Sequence, residues 1–289
     1  MSKKYKIPVI TLIFALCFIF IGKDGGYAYA DIVVNRDNLQ MPLFNKHNTF
    51  NNSGTKYIAH RGVSGFAPEN TAPAFELAGK LGFWGVECDV RTTCDGNWMI
   101  LHDATVDRMT NGTGQIKNLT ISMVESLNIT SGENISNYMG TKIPKLKDYL
   151  LICKKWKMIS VIEMKSTDNL QYYSNFIKTI KKYGNIKKTV VISSSSVSLS
   201  ELRKLDAHLN LGLICPNIID SNIYFVKTLR NAFIDTPYPD ITLSKVILCH
   251  ENNIKVGVWT VDDEILANSL IEKEVDYLTT NKLLPKIKK

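Results

Sequence analysis

The sequence predicts an α/β protein, a TIM-type (β/α)8 barrel, and three observations predict it. Short apolar runs of strand length alternate with longer segments of helical periodicity from residue 56 onward. Runs such as Val190-Val191-Ile192 and Val161-Ile162 are apolar on both faces, as strands of a covered parallel sheet are. Polar and charged side chains collect where the apolar runs end, which is where barrel enzymes place their chemistry. A doubly wound open sheet satisfies the first two observations and is the second choice.

The first thirty residues stand apart from that pattern. Lys3, Lys4 and Lys6 precede an apolar run from Val9 to Ile21, and Ala28-Tyr29-Ala30 has the small-x-small form of a cleavage site. This is the layout of a secretory signal peptide over residues 1–30. The run is shorter than the ~20 residues that span a bilayer, so export with no stable membrane insertion after cleavage is expected. Cleavage would lower the formal net charge from +8 to +5, because four lysines and one aspartate lie in the segment. Residues 31–55 are polar and asparagine-rich and read as a flexible leader. The domain proper is residues 56–289.

The modest basic surplus suits an anionic substrate or surface. No basic run with interleaved aromatics points to nucleic acid, and none is expected as a partner. Five cysteines remain beyond residue 30 (Cys88, Cys94, Cys153, Cys215 and Cys249), too few for a disulfide-built scaffold and without metal-finger spacing. They read mostly as small buried apolar residues.

Nine strand-like runs follow: Lys56–Gly62, Trp84–Thr93, Asn97–Asp103, Met158–Lys165, Thr189–Ser193, Leu211–Ile214, Ala232–Asp235, Val256–Val261 and Tyr277–Thr280. Helical spacing marks Asn70–Leu81, Ile143–Trp156, Leu170–Tyr183, Ser200–His208, Asn222–Leu229, Thr242–Asn252 and Glu264–Glu274. Nine is one strand too many for a simple barrel. Only about ten residues separate the second and third runs, too few for a crossover helix. Asp95-Gly96 between them is a hairpin signal, so these two strands should run antiparallel, an irregularity beside the second barrel strand. A two-residue turn there places residue 102 opposite residue 89. Residues 104–142, rich in Asn, Gly and Thr, interrupt the alternation and read as an inserted loop or small lid near the site.

Candidate chemistry follows from spacing. Glu87 and Asp89 are two apart and so share one face of a strand. The predicted hairpin brings His102 to that face. Glu163 and Lys165 repeat the spacing at another strand end, and His60 ends the run Tyr57-Ile58-Ala59. Three carboxylates converging without cysteine favour a hard divalent cation, Ca²⁺ or Mg²⁺, over zinc. Two histidines can divide the work of general acid and general base. Arg61 and Lys165 can hold a phosphate. Together these point to phosphodiester cleavage.

At these residues the chain resembles the glycerophosphodiester phosphodiesterase family of the PLC-like superfamily. The motifs are His60-Arg61-Gly62, Pro68-Glu69-Asn70-Thr71, Glu87-x-Asp89-Val90, Thr93-x-Asp95-Gly96, His102-Asp103, Asn111-Gly112-Thr113-Gly114, Glu163-x-Lys165, Trp259-Thr260-Val261-Asp262 and the stretch Asp276 to Asn281. In this order they cover essentially Lys56 to Leu284. The resemblance implies a TIM-type barrel with an insertion after His102-Asp103. It implies Glu87, Asp89 and Glu163 as ligands of one divalent cation, His60 and His102 as the acid/base pair, and Arg61 and Lys165 on the phosphate, with Trp259 lining the pocket. The implied activity is that of a metal-dependent enzyme, which the signal peptide would make secreted or cell-envelope associated. It would hydrolyse a small glycerophosphodiester, or a polymeric glycerophosphate, to glycerol 3-phosphate and an alcohol. Two other readings stay open: a related phospholipase D- or C-like enzyme that stops at a cyclic phosphate, and a catalytically silent glycerophosphate-binding module of the cell envelope.

Overall fold

The computed structural model describes residues 54–165 and 169–285, together with two two-residue strands, Phe20–Ile21 and Tyr27–Ala28, which pair antiparallel. The signal-peptide reading and most of the leader therefore lie outside the described residues. All nine predicted strands are present in the main unit: β1 Lys56–Ala59, β2 Gly85–Thr92, β3 Trp98–Ile100, β4 Ile159–Met164, β5 Thr189–Ser193, β6 Asn210–Ile214, β7 Ala232–Pro237, β8 Val256–Trp259 and β9 Tyr277–Thr280. Strand β1 pairs in parallel with β2, β2 with β4, and each later strand with the next. Strand β9 returns to β1 through Tyr277–Lys56 and Thr280–Ala59. The ring closes on eight parallel strands, which excludes the open sheet. The ninth strand, β3, pairs antiparallel with the far end of β2, outside the ring.

The helices are α1 Ala72–Lys80, α2 Ile121–Ser126, α3 Leu146–Trp156, α4 Gln171–Tyr183, α5 Ser196–Leu205, α6 Asp220–Leu229, α7 Leu243–Glu251 and α8 Glu264–Glu272. Helix α5 begins four residues before the predicted Ser200, because Ser195 accepts a hydrogen bond from the Ser198 amide and caps its start. Each main helix turns an apolar stripe inward; in α3 that stripe is Leu146, Tyr149, Leu150 and Cys153. The Tyr149 hydroxyl donates to the carbonyls of Val86 (2.6 Å) and Val161 (3.1 Å), tying α3 to both β2 and β4. Inside the ring, Ile58, Val161, Ile192 and Phe233 form a buried layer beneath the C-terminal rim.

The hairpin departs from the predicted register by one residue. Val90 faces Ile100 and Thr92 faces Trp98, so Leu101, rather than His102, lies opposite Asp89 and donates its amide to the Asp89 carbonyl. The turn holds three residues, Cys94-Asp95-Gly96, closed by Thr93 and Asn97, with Gly96 in the left-handed region at φ +78°. The extra residue shifts the pairing.

Residues 104–142 are more than a loop. They carry α2, and Val106, Met109, Ile116, Val124 and Ile129 pack with Met99 and Leu101 into an apolar cluster of their own. Asp95 accepts from the Ile121 amide (3.1 Å) and so joins the hairpin to α2. Of the five cysteines, four are buried free thiols and Cys94 is exposed. Among the described residues no helix is long and apolar enough to cross a membrane.

Candidate active site

Every candidate side chain except Asp89 lines one cavity of about 230 Å³ at the C-terminal rim: His60, Arg61, Glu87, His102, Glu163, Lys165 and Trp259. Asp89 lies directly behind its wall, 1% exposed. Register explains the convergence of the acids. Asp89 pairs with Glu163 and Glu87 with Val161 across β2 and β4, so three inward carboxylates meet, with ligand atoms all within 4.8 Å of one another. His102 reaches the cavity despite the shifted hairpin, because β3 ends at Ile100 and the chain leaves pleated geometry before residue 102.

These carboxylates are held unequally. Asp89 accepts from the Asn70 side-chain amide (2.7 Å), pairs with Lys165 (2.8 Å) and lies 3.4 Å from Arg61 Nε. Burial alone would raise its pKa, but Lys165 and Arg61 outweigh burial and hold it below the usual range. Glu163 pairs with Lys165 at 2.5 Å, yet burial leads and its pKa is raised. Glu87 accepts from the Arg61 amide through Oε2 (2.7 Å), while its buried Oε1 has no partner among the described residues. Burial first, then Asp89 and Glu163, push its pKa well up. A buried, unpartnered carboxylate oxygen beside two further carboxylates is costly unless a cation joins it. The all-oxygen donor set fits a hard divalent ion. Lys165 supplies part of the missing positive charge in this arrangement, and burial, which would lower its pKa, is outweighed by Asp89 and Glu163.

The histidines have different partners. His60 Nδ1 lies 2.8 Å from Asn281 Oδ1. Asn281 donates its Nδ2 to Asp262 (2.6 Å) and accepts from Ser64 Oγ, so its oxygen faces His60 and Nδ1 of His60 is the donor. Burial first, and Arg61 second, lower the His60 pKa. His102 Nδ1 instead meets a carboxylate, Asp103 Oδ1, at 2.8 Å. Both rings thus turn Nδ1 to a fixed acceptor, one neutral and one anionic.

Arg61, expected on a phosphate, faces acids here: Nη1 donates to Glu69 (3.0 Å), while the buried Nε lies 3.4 Å from Asp89 and makes no hydrogen bond among the described residues. Its backbone is in the left-handed region at φ +54°, followed by Gly62 at +79°. This tight turn from β1 into α1 aims His60 and Arg61 over the rim. Several site residues escaped the spacing argument. Asn70 clamps Asp89 at both amide nitrogen and carboxylate; Glu69, Asp103, Arg108, Asp262 and Asn281 orient the residues that were found. Asp235 on β7 also lines the cavity, and its carboxyl makes no hydrogen bond among the described residues. Burial, then Glu163, push its pKa up to about 8. A lone acid in Ala232-Phe233-Ile234-Asp235 was the available signal, the same one that exposed Glu163.

Residues 60–284 match the family model described as the glycerophosphoryl diester phosphodiesterase family. The chain belongs to this family. A glycerophosphodiester phosphodiesterase of Caldanaerobacter subterraneus subsp. tengcongensis is 32% identical over 231 residues, spanning 78% of this chain and 94% of the relative. A putative family member of Bacillus subtilis is 28% identical over 78% and 93% of the two chains. Among solved structures, an Oleispira antarctica phosphodiesterase in complex with the product sn-glycerol-3-phosphate superposes with a TM-score of 0.74 at 25% identity, covering 78% of this chain and 92% of its own. The family membership, the closed barrel and the site together make this chain a glycerophosphodiester phosphodiesterase.

Proposed function

We propose that the protein is an exported enzyme that uses His60 as base and His102 as acid, with a divalent cation on Glu87, Asp89 and Glu163, to release glycerol 3-phosphate from a glycerophosphodiester. The asymmetry of the two histidines carries this reading. His60 donates Nδ1–H to an amide and is kept neutral by burial, so its Nε2 lone pair is available to take a proton. His102 turns Nδ1 to the Asp103 carboxylate instead, an anionic acceptor that fixes the ring and leaves Nε2 to pass a proton to the departing oxygen.

The chemistry balances in two steps. His60 Nε2 takes the proton of the glycerol 2-hydroxyl as that oxygen bonds phosphorus. The P–O bond to the alcohol breaks, and His102 Nε2–H protonates the departing oxygen. Water then opens the cyclic phosphate with the two roles exchanged, giving glycerol 3-phosphate. When bound, the cation supplies charge stabilisation at the phosphoryl oxygens. Arg61 and Lys165, which line the cavity, would hold the phosphate.

The supports for Ca²⁺ or Mg²⁺ are the oxygen-only donor set and the unpartnered Glu87 Oε1. Export rests on the basic, apolar and Ala-x-Ala order of residues 1–30. N-terminal sequencing of protein recovered outside the cell checks it, and a mature chain beginning at Asp31 is expected. A substrate panel of glycerophosphocholine, glycerophosphoglycerol and polyglycerol phosphate tests the substrate class. Glycerol 3-phosphate from the small diesters supports the proposal; cyclic phosphate as the final product refutes it.

A further inference from the structure

The inserted segment sends one side chain back toward the site, Arg108, and that side chain touches neither the cavity nor the carboxylate triad. Its Nε donates to Asp103 Oδ2 (2.6 Å) and its Nη2 to Asp103 Oδ1 (3.1 Å), a two-pronged grip on the carboxylate that orients His102. The same Nη2 donates to Glu69 Oε1 (2.6 Å), the oxygen that receives Arg61 Nη1 at 3.0 Å. A continuous chain therefore runs His102–Asp103–Arg108–Glu69–Arg61. It joins the acid to the cation beside the base through a single guanidinium. Arg108 is held in place by its neighbours: Met109 is in the buried cluster of the insertion, and Val106 two residues before it is fully buried there.

We infer that Arg108 is a positioning residue through which the inserted segment sets both the proton-donating geometry of His102 and the phosphate-facing geometry of Arg61. Single exposed ion pairs contribute little, and Arg108 is 45% exposed, so a stability role alone would not account for three donor contacts from it to two carboxylates. The geometry is a fork. Asp103 is fixed at both oxygens, and its Oδ1 is also the partner of His102 Nδ1, so the carboxylate that orients the ring is itself held by the bidentate pair. Arg108 holds Asp103 strongly anionic, with its own hydrogen bond the largest cause, and an anionic Asp103 is what a proton-carrying His102 needs. A lysine, with one point charge, cannot span both carboxylates in this way.

The inference rests on the assignment of His102 as acid, and the experiment separates the two. Arg108→Ala, Arg108→Lys, Glu69→Gln and His102→Ala are prepared in the mature chain. Single-turnover release of the alcohol is followed for glycerophosphocholine, whose leaving alkoxide needs a proton, and for glycerophospho-p-nitrophenol, whose leaving phenolate does not. His102→Ala should lose at least about 100-fold on the first substrate and far less on the second. If it loses equally on both, the acid assignment fails. Given that result, Arg108→Ala should slow the first substrate by about 10- to 100-fold at saturation and leave the second within about 3-fold, while raising the half-saturating concentration for both. Glu69→Gln should show the second effect without the first, and Arg108→Lys should fall between. A uniform loss on both substrates at saturation, or no loss on either, overturns the role of Arg108. Circular dichroism and melting of each variant show whether a uniform loss comes from misfolding, which also counts against a positioning role.

Discussion

His60 is the residue at which the environment most clearly selects a protonation state. Burial and Arg61 favour the neutral ring, so its folded pKa lies below the ordinary histidine value near 6.5. For a base that must be neutral, the acidic limb of kcat/KM is then expected below pH 6.5. Asn281→Leu, which removes the acceptor that fixes the tautomer, should cut kcat by ~10²-fold or more. A pH–rate profile of the parent and variant checks both. Asp235 makes the opposite case. Its folded pKa is about 8, far above the unfolded aspartate value of ~3.9, so the native state holds a proton that the unfolded state releases. Stability is therefore lost as pH rises from about 4 to about 8, and is level above. Asp235→Asn imitates the protonated side chain, so its gain in melting temperature over the parent should grow across that window and be largest near pH 9. At this scale the sequence was legible where a charge ended an apolar run, as at His60, Glu87, Asp89 and Glu163. Orienting residues such as Asn70 and Asn281 entered only within the motifs of the resemblance and without a role, because an amide has no pattern of its own and its partner is set by a fold that joins positions far apart in the chain.

At the scale of elements, the site depends on how β1 and β2 end. Gly62 sits at φ +79°, and a Cβ there would lie 2.5 Å from the Ala74 Cβ and 2.7 Å from the Ala74 carbonyl carbon. Gly62→Ala should therefore cost at least about 2 kcal/mol in urea unfolding and displace His60 and Arg61, lowering activity more than the fraction unfolded explains. The hairpin shows how far spacing reaches. Asp95-Gly96 identified the turn, and the antiparallel pair followed. The left-handed residue is Gly96, but it closes a three-residue turn, and one residue decides the register. His102 still enters the cavity because the chain has left the strand by then. His102 was thus brought to the shared cavity by a register that was off by one. Helix α2 was hidden because its six residues bury mainly Val124, too short a stripe for periodicity to reveal.

For the whole molecule, the barrel was legible because eight parallel strands each need a nearly continuous apolar run, and the chain repeats that run with helices between. The insertion was legible as an interruption of that pattern but its own core was not, since that apolar cluster is assembled from residues scattered between Met99 and Ile143 with no common period. Three carboxylates meet at the rim, and a divalent cation bound there would relieve their mutual repulsion. Added Ca²⁺ or Mg²⁺ should raise the melting temperature in proportion to the logarithm of concentration above Kd. Glu87→Gln should be more stable than the parent without cation and show little further rise with it, as differential scanning fluorimetry would report. The most direct test of the account is glycerol 3-phosphate release from glycerophosphocholine by the purified protein, with EDTA and then with Ca²⁺ or Mg²⁺ restored, beside His60→Ala and Glu87→Ala. Loss with EDTA, recovery on add-back, and at least about 100-fold loss in both variants are expected. Full release in EDTA, or unchanged release in either variant, would contradict the account.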